Sequence, residues 1–318
     1  MPPHDRPRSA RAFAPGSIGN IGPGLDILGC AITGPGDAVV ATHADEPGVR
    51  VDDAGHPDLS RDPTLHASAI AAREVLVRAR SERCGVALTI EKGLPLSGGQ
   101  GGSSASAVAG AVAVNALLGQ PLGEDELLAC ALVAEERVAG RHLDNLAPAL
   151  LGGIVLIRCL DPIDIVRLPV PNGLRVVLVH PAQQLRTAEA RAVLPRSLDR
   201  ALAFAQAANV AAMVVALHTG DFELLRRALD DRIAEPARAA LLPGFVDAKR
   251  AALDAGASGC SISGAGPTAF ALAHDDATAS RVAEAMRDAY AARGLPATAR
   301  IERIDERGAR IESTREDS

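Results

Sequence analysis

The sequence contains very few aromatic residues: its 318 residues include no tryptophan, one tyrosine and five phenylalanines. Surfaces that bind single-stranded nucleic acid by base stacking need exposed aromatic rings, and this chain has too few to form one. The formal net charge is −6, and the sequence has no basic tail or stripe. These absences argue against nucleic acid and against an anionic membrane surface as partners.

Cysteine is also scarce. The five cysteines are far apart, odd in number and form no C-x-x-C pair, so we expect reduced, buried thiols rather than disulfides or zinc ligands. The N-terminal segment has no long apolar core, and we identify no apolar run of about 20 residues that would span a bilayer. We therefore expect a cytoplasmic protein without a signal peptide, with polar, frayed ends over residues 1–10 and 311–318.

The residues that are plentiful are alanine, valine and leucine, and 47% of the chain is hydrophobic, enough for one large domain or two. Residues 159–173, "CLDPIDIVRLPVPNG", contain three prolines and a final Asn-Gly and form the predicted domain boundary. We predict two α+β domains, residues 1–165 and 166–318. Hydrophobic periodicity predicts strands over 86–91, 152–158, 174–180 and 297–304 and a strand pair within 257–273, and helices over 103–118, 124–139, 198–218, 221–231, 245–255 and 277–292.

One segment combines a loop with the start of a helix. Residues 94–107 read "LPLSGGQGGSSASA", and the apolar segment "VAGAVAVNALLG" follows directly. The start of a helix presents free backbone N–H groups and the positive end of the helix dipole, and glycine lets the backbone approach an anion closely. The segment is therefore either a plain loop or a phosphate site. Gly110 in the predicted helix costs about 1 kcal/mol relative to alanine, which indicates close packing there.

Three familiar loops do not fit these letters. A Walker loop needs Gly-Lys-Ser/Thr at the helix start, but both lysines, Lys92 and Lys249, lie outside the loop. A dinucleotide fingerprint needs G-x-G-x-x-G, and here Ser104 stands at the last glycine and a second helix follows, which disfavours a dehydrogenase. The G-x-S-x-G elbow of esterases occurs nowhere in the sequence.

The segment does resemble the phosphate loop of the GHMP kinases, whose usual form is P-x-G-x-G-L-G-S/G-S-A/S-A-S. Residues 14–32, "APGSIGNIGPGLDILGCAI", and 259–273, "GCSISGAGPTAFALA", are similar to two other motifs of that family, in the family's order and spacing. Three more segments are similar to the branch of the family that phosphorylates homoserine, and the resemblance covers about residues 11 to 274. They read "HLDNLAPALLGGIVLI", "LRTAEARAVLP" and "DRIAEPARAALLPGF".

This resemblance implies both a fold and an activity. The fold would be α+β with two domains, the first similar to ribosomal protein S5 and the second ferredoxin-like. The activity would be transfer of the γ-phosphate of ATP, with Mg²⁺, to the side-chain hydroxyl of a small-molecule substrate, L-homoserine. The family also allows a homodimer.

The resemblance further implies how the nucleotide is held. Backbone N–H groups of the glycine loop, residues 95–104, would bind the terminal phosphates, and Ser103 and Glu135 would supply oxygen ligands to Mg²⁺. The nucleotide-binding set is Pro95, Leu96, Ser97, Gly98, Gly99, Gln100, Gly101, Gly102, Ser103 and Ser104.

For the acceptor, the resemblance implies a second set of side chains. A carboxylate suits the ammonium group of an amino acid, and a planar two-donor arginine suits its carboxylate. Two side chains that are neighbours in sequence would aim the reacting hydroxyl at phosphorus. The substrate set is Asn20, Asp26, Asn145, Arg191 and Arg238, and the catalytic set is Asn145, Asp144 and Arg191.

These residues also have plainer interpretations. Ser103 or Ser104 could only cap the helix, and Glu135 could belong to a solvated surface pair with Glu136, which is the alternative ligand if the register is off by one. Asn20 and Asp26 lie in the turn-forming stretch "GNIGPGLD", and either arginine could be a surface charge. His142 fits a structural hydrogen-bonding role better than that of a base, and Asp144 is left open between base and orienting group.

The chain departs from the family pattern at several positions. Leu25 and Ile27 alter the N-terminal motif, Gln100 replaces the usual Leu or Met, and Thr64 stands where an Asn often occurs near the adenine site. These changes leave open another small hydroxy amino acid, such as threonine, as acceptor. They also leave open a non-catalytic nucleotide-binding protein, although the presence of Ser103, Glu135 and Asn145 favours a kinase.

Overall fold

A computed structural model of the chain describes residues 7–138 and 140–315, and two β-sheets organise them. Within these residues the first sheet has seven strands and the second has four. The first sheet comprises β1 (Ser9–Gly19), β2 (Leu28–Ala44), β3 (Gly48–Asp53), β4 (Gly85–Glu91), β5 (Ile154–Leu160), β6 (Ile163–Leu168) and β11 (Arg310–Arg315); the second comprises β7 (Arg175–Pro181), β8 (Cys260–Ile262), β9 (Ala269–Ala273) and β10 (Ala297–Glu302).

The long strand β2 organises the first sheet. Its register with β1 shifts between Pro15 and Gly16, so the two halves of β2 have different second neighbours. The first half pairs with β5 and the second half with β4, which continues to β3. Strand β11 pairs with the free side of β1. The end of β4, from which the glycine loop starts, therefore lies beside the middle of β1 and β2, close to this register shift.

Four helices belong to the first sheet, and the glycine loop leads directly into the second of them. They are α1 (Ala67–Arg78), α2 (Gly102–Leu117), α3 (Glu124–Val138) and α4 (Leu146–Leu151). Helix α2 packs on β1 and β2, and α1 and α3 pack against it. Residues 104–117 of α2 are all buried, because their small side chains let the surrounding elements approach closely.

The close packing predicted at Gly110 is confirmed. A Cβ atom added to Gly110 would lie 2.7 Å from the backbone carbonyl oxygen of Ser68 on α1. Only a residue without a side chain leaves room for this approach of the two helices.

The second sheet is antiparallel in the order β10-β7-β9-β8 and carries the remaining helices. Leu178, Phe270 and Leu272 pack on its inner face with residues from β2 and β5, so this core continues into the first sheet. The other face packs against α9 and α10 through Phe245, Met286 and their neighbours. The helices are α5 (Thr187–Ala192), α6 (Arg200–Thr219), α7 (Phe222–Ala228), α8 (Ala234–Arg238), α9 (Phe245–Asp254) and α10 (Asp276–Ala292).

The segment predicted as the domain boundary contains a strand. Strand β6 lies inside the segment predicted as a linker, and it pairs with β5 as far as Leu168. The prolines at 162 and 169 flank this strand rather than interrupt it, which is why a turn-rich composition concealed it. A division at residue 165 therefore cuts a strand, and β11 returns the end of the chain to the first sheet.

The ends of the chain also differ from the prediction where they are described. Strand β1 begins at Ser9, and its register pairs Ser9 with Arg315 of β11. Fraying over residues 9–10 and 311–315 is therefore wrong, because backbone pairing holds these residues without an apolar side-chain pattern. Residues 1–6 and 316–318 of the predicted frayed ends, and Ala139 at the predicted end of α3, lie outside the described residues.

Helix α6 contradicts the expectation that the sequence has no apolar run of membrane-spanning length. Its 20 residues have a mean hydropathy of 1.6 in the most apolar window, so by length and composition it could cross a bilayer. It packs Met213, Ala216 and Leu217 into the core beside the second sheet, while Phe204 and Val215 are exposed. One such helix is weak evidence for a membrane span, because helices packed on a core pass the same test.

We expect Gly110→Ala to destabilise the protein by about 2 kcal/mol, because the new methyl group meets the Ser68 backbone and overpacking outweighs the better helix propensity of alanine. Urea unfolding measures the change in the free energy of unfolding. Gly123→Ala is the control, since nothing lies within 4 Å of its added Cβ, and its effect stays within about 1 kcal/mol, the cost of alanine at a position that directly precedes a helix. A stabilised Gly110→Ala variant would contradict the packing described here.

Candidate active site

A cavity of about 550 Å³ is lined by residues of both domains. The glycine loop, α3 and the turn before α4 contribute from the first domain, and α5, α8 and the turn at Gly264 contribute from the second. With two exceptions, Gln100 and Asp26, every residue of the predicted nucleotide, metal, substrate and catalytic sets lines this cavity. Residues that are far apart in sequence are therefore brought together in one place.

The start of helix α2 forms one wall of the cavity. The cap residue is Gly101, with φ of 68°, and no side chain bonds to the first N–H groups of the helix. The helix begins at Gly102, one residue before the predicted start, and the interpretation of Ser103 or Ser104 as a plain helix cap is wrong. The N–H groups are therefore left for a ligand, and the helix dipole favours a negatively charged one.

The carbonyl groups of the glycine loop are held by the rest of the molecule. Gly98 accepts a hydrogen bond from the Thr268 hydroxyl at 2.5 Å, and Gly99 accepts one from the Ser263 hydroxyl at 2.6 Å. The carbonyl of Gln100 accepts from the Ser17 N–H at 3.1 Å. Residues 263–268 of the second domain thus hold the glycine loop. Since these carbonyl oxygens accept hydrogen bonds from other parts of the protein, they do not face and repel an anion bound at the loop.

Gln100 does not line the cavity. Its side chain is buried and points away from the cavity, with Nε2 donating to the Thr268 hydroxyl at 3.1 Å. Its Oε1 accepts from the guanidinium of Arg300 at 2.5 Å. The amide side chain explains why a polar residue replaces the usual Leu or Met here, since it connects the loop to polar groups of the second domain. Only the main chain of Gln100 remains available to a nucleotide.

Two buried carboxyl groups face the cavity. Glu135, on α3, is 7% exposed and accepts a hydrogen bond from the Ser104 hydroxyl at 3.2 Å. Burial, and then the charge of Asp144, raise the pKa of Glu135 to about 7. Burial, and then the charge of Asp26, raise the pKa of Asp144 to about 7. Glu136 is exposed, so Glu135 is the acid that this register places in the site.

Asp26 does not itself line the cavity. It binds Arg191, whose Nη2 and Nη1 lie 2.8 and 3.3 Å from its two carboxylate oxygens, and His142 Nδ1 lies 3.3 Å from Oδ1. Two residues predicted to bind opposite ends of a substrate thus bind each other. The contact of His142 agrees with its structural interpretation, and burial lowers the pKa of the ring.

Asn20 and Asn145 are fixed by hydrogen bonds on both sides. Asn20 donates from Nδ2 to the Gly264 carbonyl at 3.0 Å and accepts from the Asp26 N–H at 3.0 Å, in a left-handed conformation with φ of 71°. Asn145 accepts from the Ser17 hydroxyl at 2.9 Å and donates to Asp144 at 3.3 Å. The turn interpretation of Asn20 is therefore correct in part, since it shapes the turn and also lines the cavity.

Arg238 is the most buried cation of the site, at 2% exposure. Its Nε donates to the Ala190 carbonyl at 3.1 Å and its Nη1 to the Gly264 carbonyl at 2.9 Å. Its Nη2 makes no such bond and is available to the cavity, and no carboxylate of the described residues forms an ion pair with the guanidinium. Burial, followed by the charge of Arg191, lowers its pKa. A buried cation without an acid partner indicates a site for an anion.

Sequence reasoning missed Lys92, which lines the cavity although it precedes the glycine loop. Lys92 stands outside the Walker position, so the loop motif does not indicate it. Its Nζ lies 3.2 Å from the Gly102 carbonyl at the start of α2. Ser17, which contacts Asn145, was also missed, and nothing in its local sequence distinguishes it from other residues of the motif.

Comparison with known proteins decides the family. Residues 67–153 match the family described as GHMP kinases N terminal domain, and residues 213–292 match GHMP kinases C terminal. Homoserine kinase of Chlorobium phaeobacteroides strain BS1 is 44% identical over 297 residues, which cover 89% of this chain and 92% of that protein. The chain belongs to the GHMP kinase family.

Other relatives of this GHMP kinase extend the match. Homoserine kinase of Arabidopsis thaliana is 40% identical over 314 residues, covering 95% of this chain and 84% of that protein. The crystal structure of homoserine kinase from Cytophaga hutchinsonii matches with a TM-score of 0.92 and 38% identity, covering 96% of this chain and 97% of that chain. The predicted family, its two-domain α+β fold and kinase activity are confirmed.

The raised pKa of Glu135 predicts how the stability of the ligand-free kinase varies with pH. In the unfolded chain this carboxyl titrates near its ordinary value of 4.5, and in the folded chain at about 7. Between these values the folded state binds more protons, so this group lowers the stability as pH rises. Glu135→Gln removes that loss, because glutamine is neutral throughout.

We therefore expect wild type and Glu135→Gln to be about equally stable near pH 5 and the variant to be more stable by about 1–3 kcal/mol near pH 7.5. Urea unfolding in the presence of EDTA measures the difference. The buried histidines do not disturb the comparison because both proteins contain them. A difference that does not change with pH would show that Glu135 is ionised like an exposed acid.

Proposed function

We propose that this protein is a homoserine kinase that transfers the γ-phosphate of Mg·ATP to the side-chain hydroxyl of L-homoserine, giving O-phospho-L-homoserine in threonine biosynthesis. The observation that carries the proposal is the juxtaposition, in one cavity, of a helix start with free N–H groups and a buried arginine without an acid partner. The helix start suits phosphates, and the buried arginine suits the carboxylate of an amino acid. The relatives named homoserine kinase, up to 44% identical, support the same acceptor.

The main chain holds the nucleotide in this proposal. The triphosphate lies against the N–H groups of the glycine loop and the start of α2, while the carbonyl groups of Gly98 and Gly99 stay bonded to the second domain. Phosphoryl transfer depends chiefly on positioning and on stabilising the charge of the transferring group. The loop positions the transferring group, and the helix dipole supplies part of the charge stabilisation.

The residues present fit a magnesium ion. Ser103 and Glu135 offer oxygen ligands at the wall where the phosphates lie, and the Glu135 carboxyl forms no ion pair with a lysine or arginine of the described residues. Mg²⁺ is bound by one or two protein oxygens together with phosphate oxygens and water. This mode of binding needs few protein ligands, which agrees with the finding that residues 7–138 and 140–315 contain no cluster of three or more His, Cys, Asp or Glu that could hold a metal ion. When bound, the ion neutralises charge on the phosphates.

The acceptor lies between the phosphates and the second domain. Nη2 of Arg238 binds the substrate carboxylate, and Asp26 binds the ammonium group once Arg191 releases it. Released, Arg191 can move toward the transferring phosphoryl group as a catalytic cation. Asn145 and Asp144 orient the hydroxyl, and Asp144, whose pKa is raised to about 7, can take up its proton late in a loose transfer.

Other expectations accompany this proposal. A cytoplasmic location, a homodimer and the absence of nucleic-acid and membrane partners stay predictions. A non-catalytic nucleotide-binding role is less well supported, because Ser103, Glu135 and Asn145 all line the cavity and a binding protein would need only the first of them.

An acceptor screen tests the proposed function, with ADP release as the readout. We expect turnover on L-homoserine and turnover at least about 100-fold lower on threonine, serine, mevalonate and shikimate, because a misplaced hydroxyl is poorly aligned with phosphorus. The controls are 4-hydroxybutyrate, which lacks the ammonium group, and 3-aminopropan-1-ol, which lacks the carboxylate. Turnover on another acceptor with none on homoserine would refute the proposed substrate.

A second test concerns the metal ligand. We expect Glu135→Gln to lower kcat by about 100-fold and to raise the Mg²⁺ concentration for half-maximal rate by about tenfold, because one charged oxygen ligand is lost. The control is Glu136→Gln, which changes the adjacent exposed acid and leaves both quantities within about twofold. Unchanged kinetics of Glu135→Gln would assign the metal to another acid.

A further inference from the structure

A buried carboxylate connects the two ends of the glycine loop. Asp37, on β2, is fully buried. Its Oδ1 accepts the N–H groups of Gly93 and Leu94, at 3.1 and 3.3 Å, just before the loop begins. Its Oδ2 accepts from the hydroxyl of Ser106, at 2.6 Å, in the first turns of α2 after the loop ends. One side chain therefore holds the segment that enters the loop and the segment that leaves it.

Lys92 completes this arrangement from the entering segment. Its ammonium group is buried, forms an ion pair with Asp37 and donates to the Gly102 carbonyl at 3.2 Å and to the Ser106 hydroxyl at 3.0 Å. An ammonium group has three N–H donors, so these three acceptors use all of them. The lysine bridges the end of β4 and the start of α2, which are the same two segments that Asp37 joins.

The charges exclude a direct role in which Lys92 binds phosphate in this state. A lysine next to a phosphate loop ordinarily offers its charge to the nucleotide, but here Asp37 compensates that charge and no donor is left over. Asp37 alone would place a negative charge beneath the helix start and repel phosphate. The pair is neutral, so its contribution is to geometry: it sets the distance between the two ends of the loop.

We propose that Asp37, Lys92 and Ser106, the loop clasp, are positioning residues that hold the glycine loop in the shape that binds the nucleotide. The proposal rests on the proposed function in so far as the loop must bind a nucleotide. It assigns a role to three residues that do not contact the acceptor. Loss of the clasp therefore weakens nucleotide binding and slows transfer, and leaves the affinity for the acceptor unchanged.

The alternative is that the pair only stabilises the fold, and a double variant separates the two. Removing one partner of a buried ion pair leaves an uncompensated charge and is strongly destabilising, whereas removing both charges together is often neutral. Asp37→Asn combined with Lys92→Met keeps the volume of both side chains and removes both charges and the bond to the Gly102 carbonyl. A purely structural pair would give a double variant with normal stability and normal nucleotide binding.

The experiment measures the Kd of ATPγS by calorimetry, the KM for ATP and for homoserine, and the Tm. For the double variant we expect the Kd and the KM for ATP to rise about tenfold or more, because a small displacement of the loop amides is enough to do so. The KM for homoserine stays within about twofold and the Tm close to that of wild type. Lys92→Arg, which keeps the charge and the donors, retains most of the affinity for ATPγS.

A milder variant keeps the test valid if the double variant does not fold. Ser106→Ala removes two hydrogen bonds of the clasp, the one donated to Asp37 and the one accepted from Lys92, and we expect it to raise the Kd of ATPγS at least about threefold. Ser68→Ala is the matched control, because Ser68 is another buried serine that bonds to the Ser106 carbonyl and lies outside the clasp. Its Kd stays at the wild-type value.

The possible failures are distinguishable. Wild-type affinity for ATPγS in a folded double variant, or in Ser106→Ala where the double variant does not fold, overturns the clasp and leaves the proposed function intact. A wild-type protein that binds no ATPγS overturns the proposed function, and the clasp with it. Equal rises in the KM for ATP and for homoserine would also reject the clasp, because they would indicate a general loss of structure.

Discussion

The free N–H groups at the start of helix α2 are the feature on which the rest of the site depends. A loop without a lysine offers a phosphate only partial charges, so every nearby group that could oppose an anion has to be turned away or neutralised. The carbonyl groups of Gly98 and Gly99 are bonded to hydroxyls of the second domain, and Asp37 is compensated by Lys92. The second domain thus contributes uncharged hydroxyl groups to the shape of the proposed phosphate site.

The buried charged groups of the same site are electrostatically unfavourable for the fold. Glu135 and Asp144 are both buried, and burial raises the pKa of each, with a further increase from the charge of Asp144 on Glu135 and of Asp26 on Asp144. Arg238 is buried without an acid, while Arg191 has taken Asp26 as a partner. Buried charges of this kind cost folding free energy by themselves, and a cation, a phosphate or an amino acid of opposite charge would compensate them. The arrangement is therefore explained by ligand binding and not by the stability of the fold.

The elements that the sequence predicts best are those whose signal is local. Small apolar residues after a glycine-rich loop predict helix α2. Gly110 within that helix predicts close packing against a neighbouring element, although the sequence does not show that the contact is with Ser68 of α1. Strand β2 was not predicted, because its glycines, proline and aspartate conceal a register that only pairing with β1, β4 and β5 establishes. The outward turn of Gln100 and the pairing of Asp26 with Arg191 could not be predicted either, because they depend on residues 165 to 200 positions away.

A single turn at Gly264 couples the two halves of the site. Its carbonyl accepts hydrogen bonds from both Asn20 and Arg238, and its N–H donates to the Gly19 carbonyl. The adjoining Ser263 holds the glycine loop through the Gly99 carbonyl. A carboxylate bound to Arg238 and a phosphate bound to the glycine loop would therefore press on the same few residues from opposite sides. In-line transfer needs a fixed distance between acceptor and phosphorus, and a shared turn sets that distance more directly than two independently supported loops would.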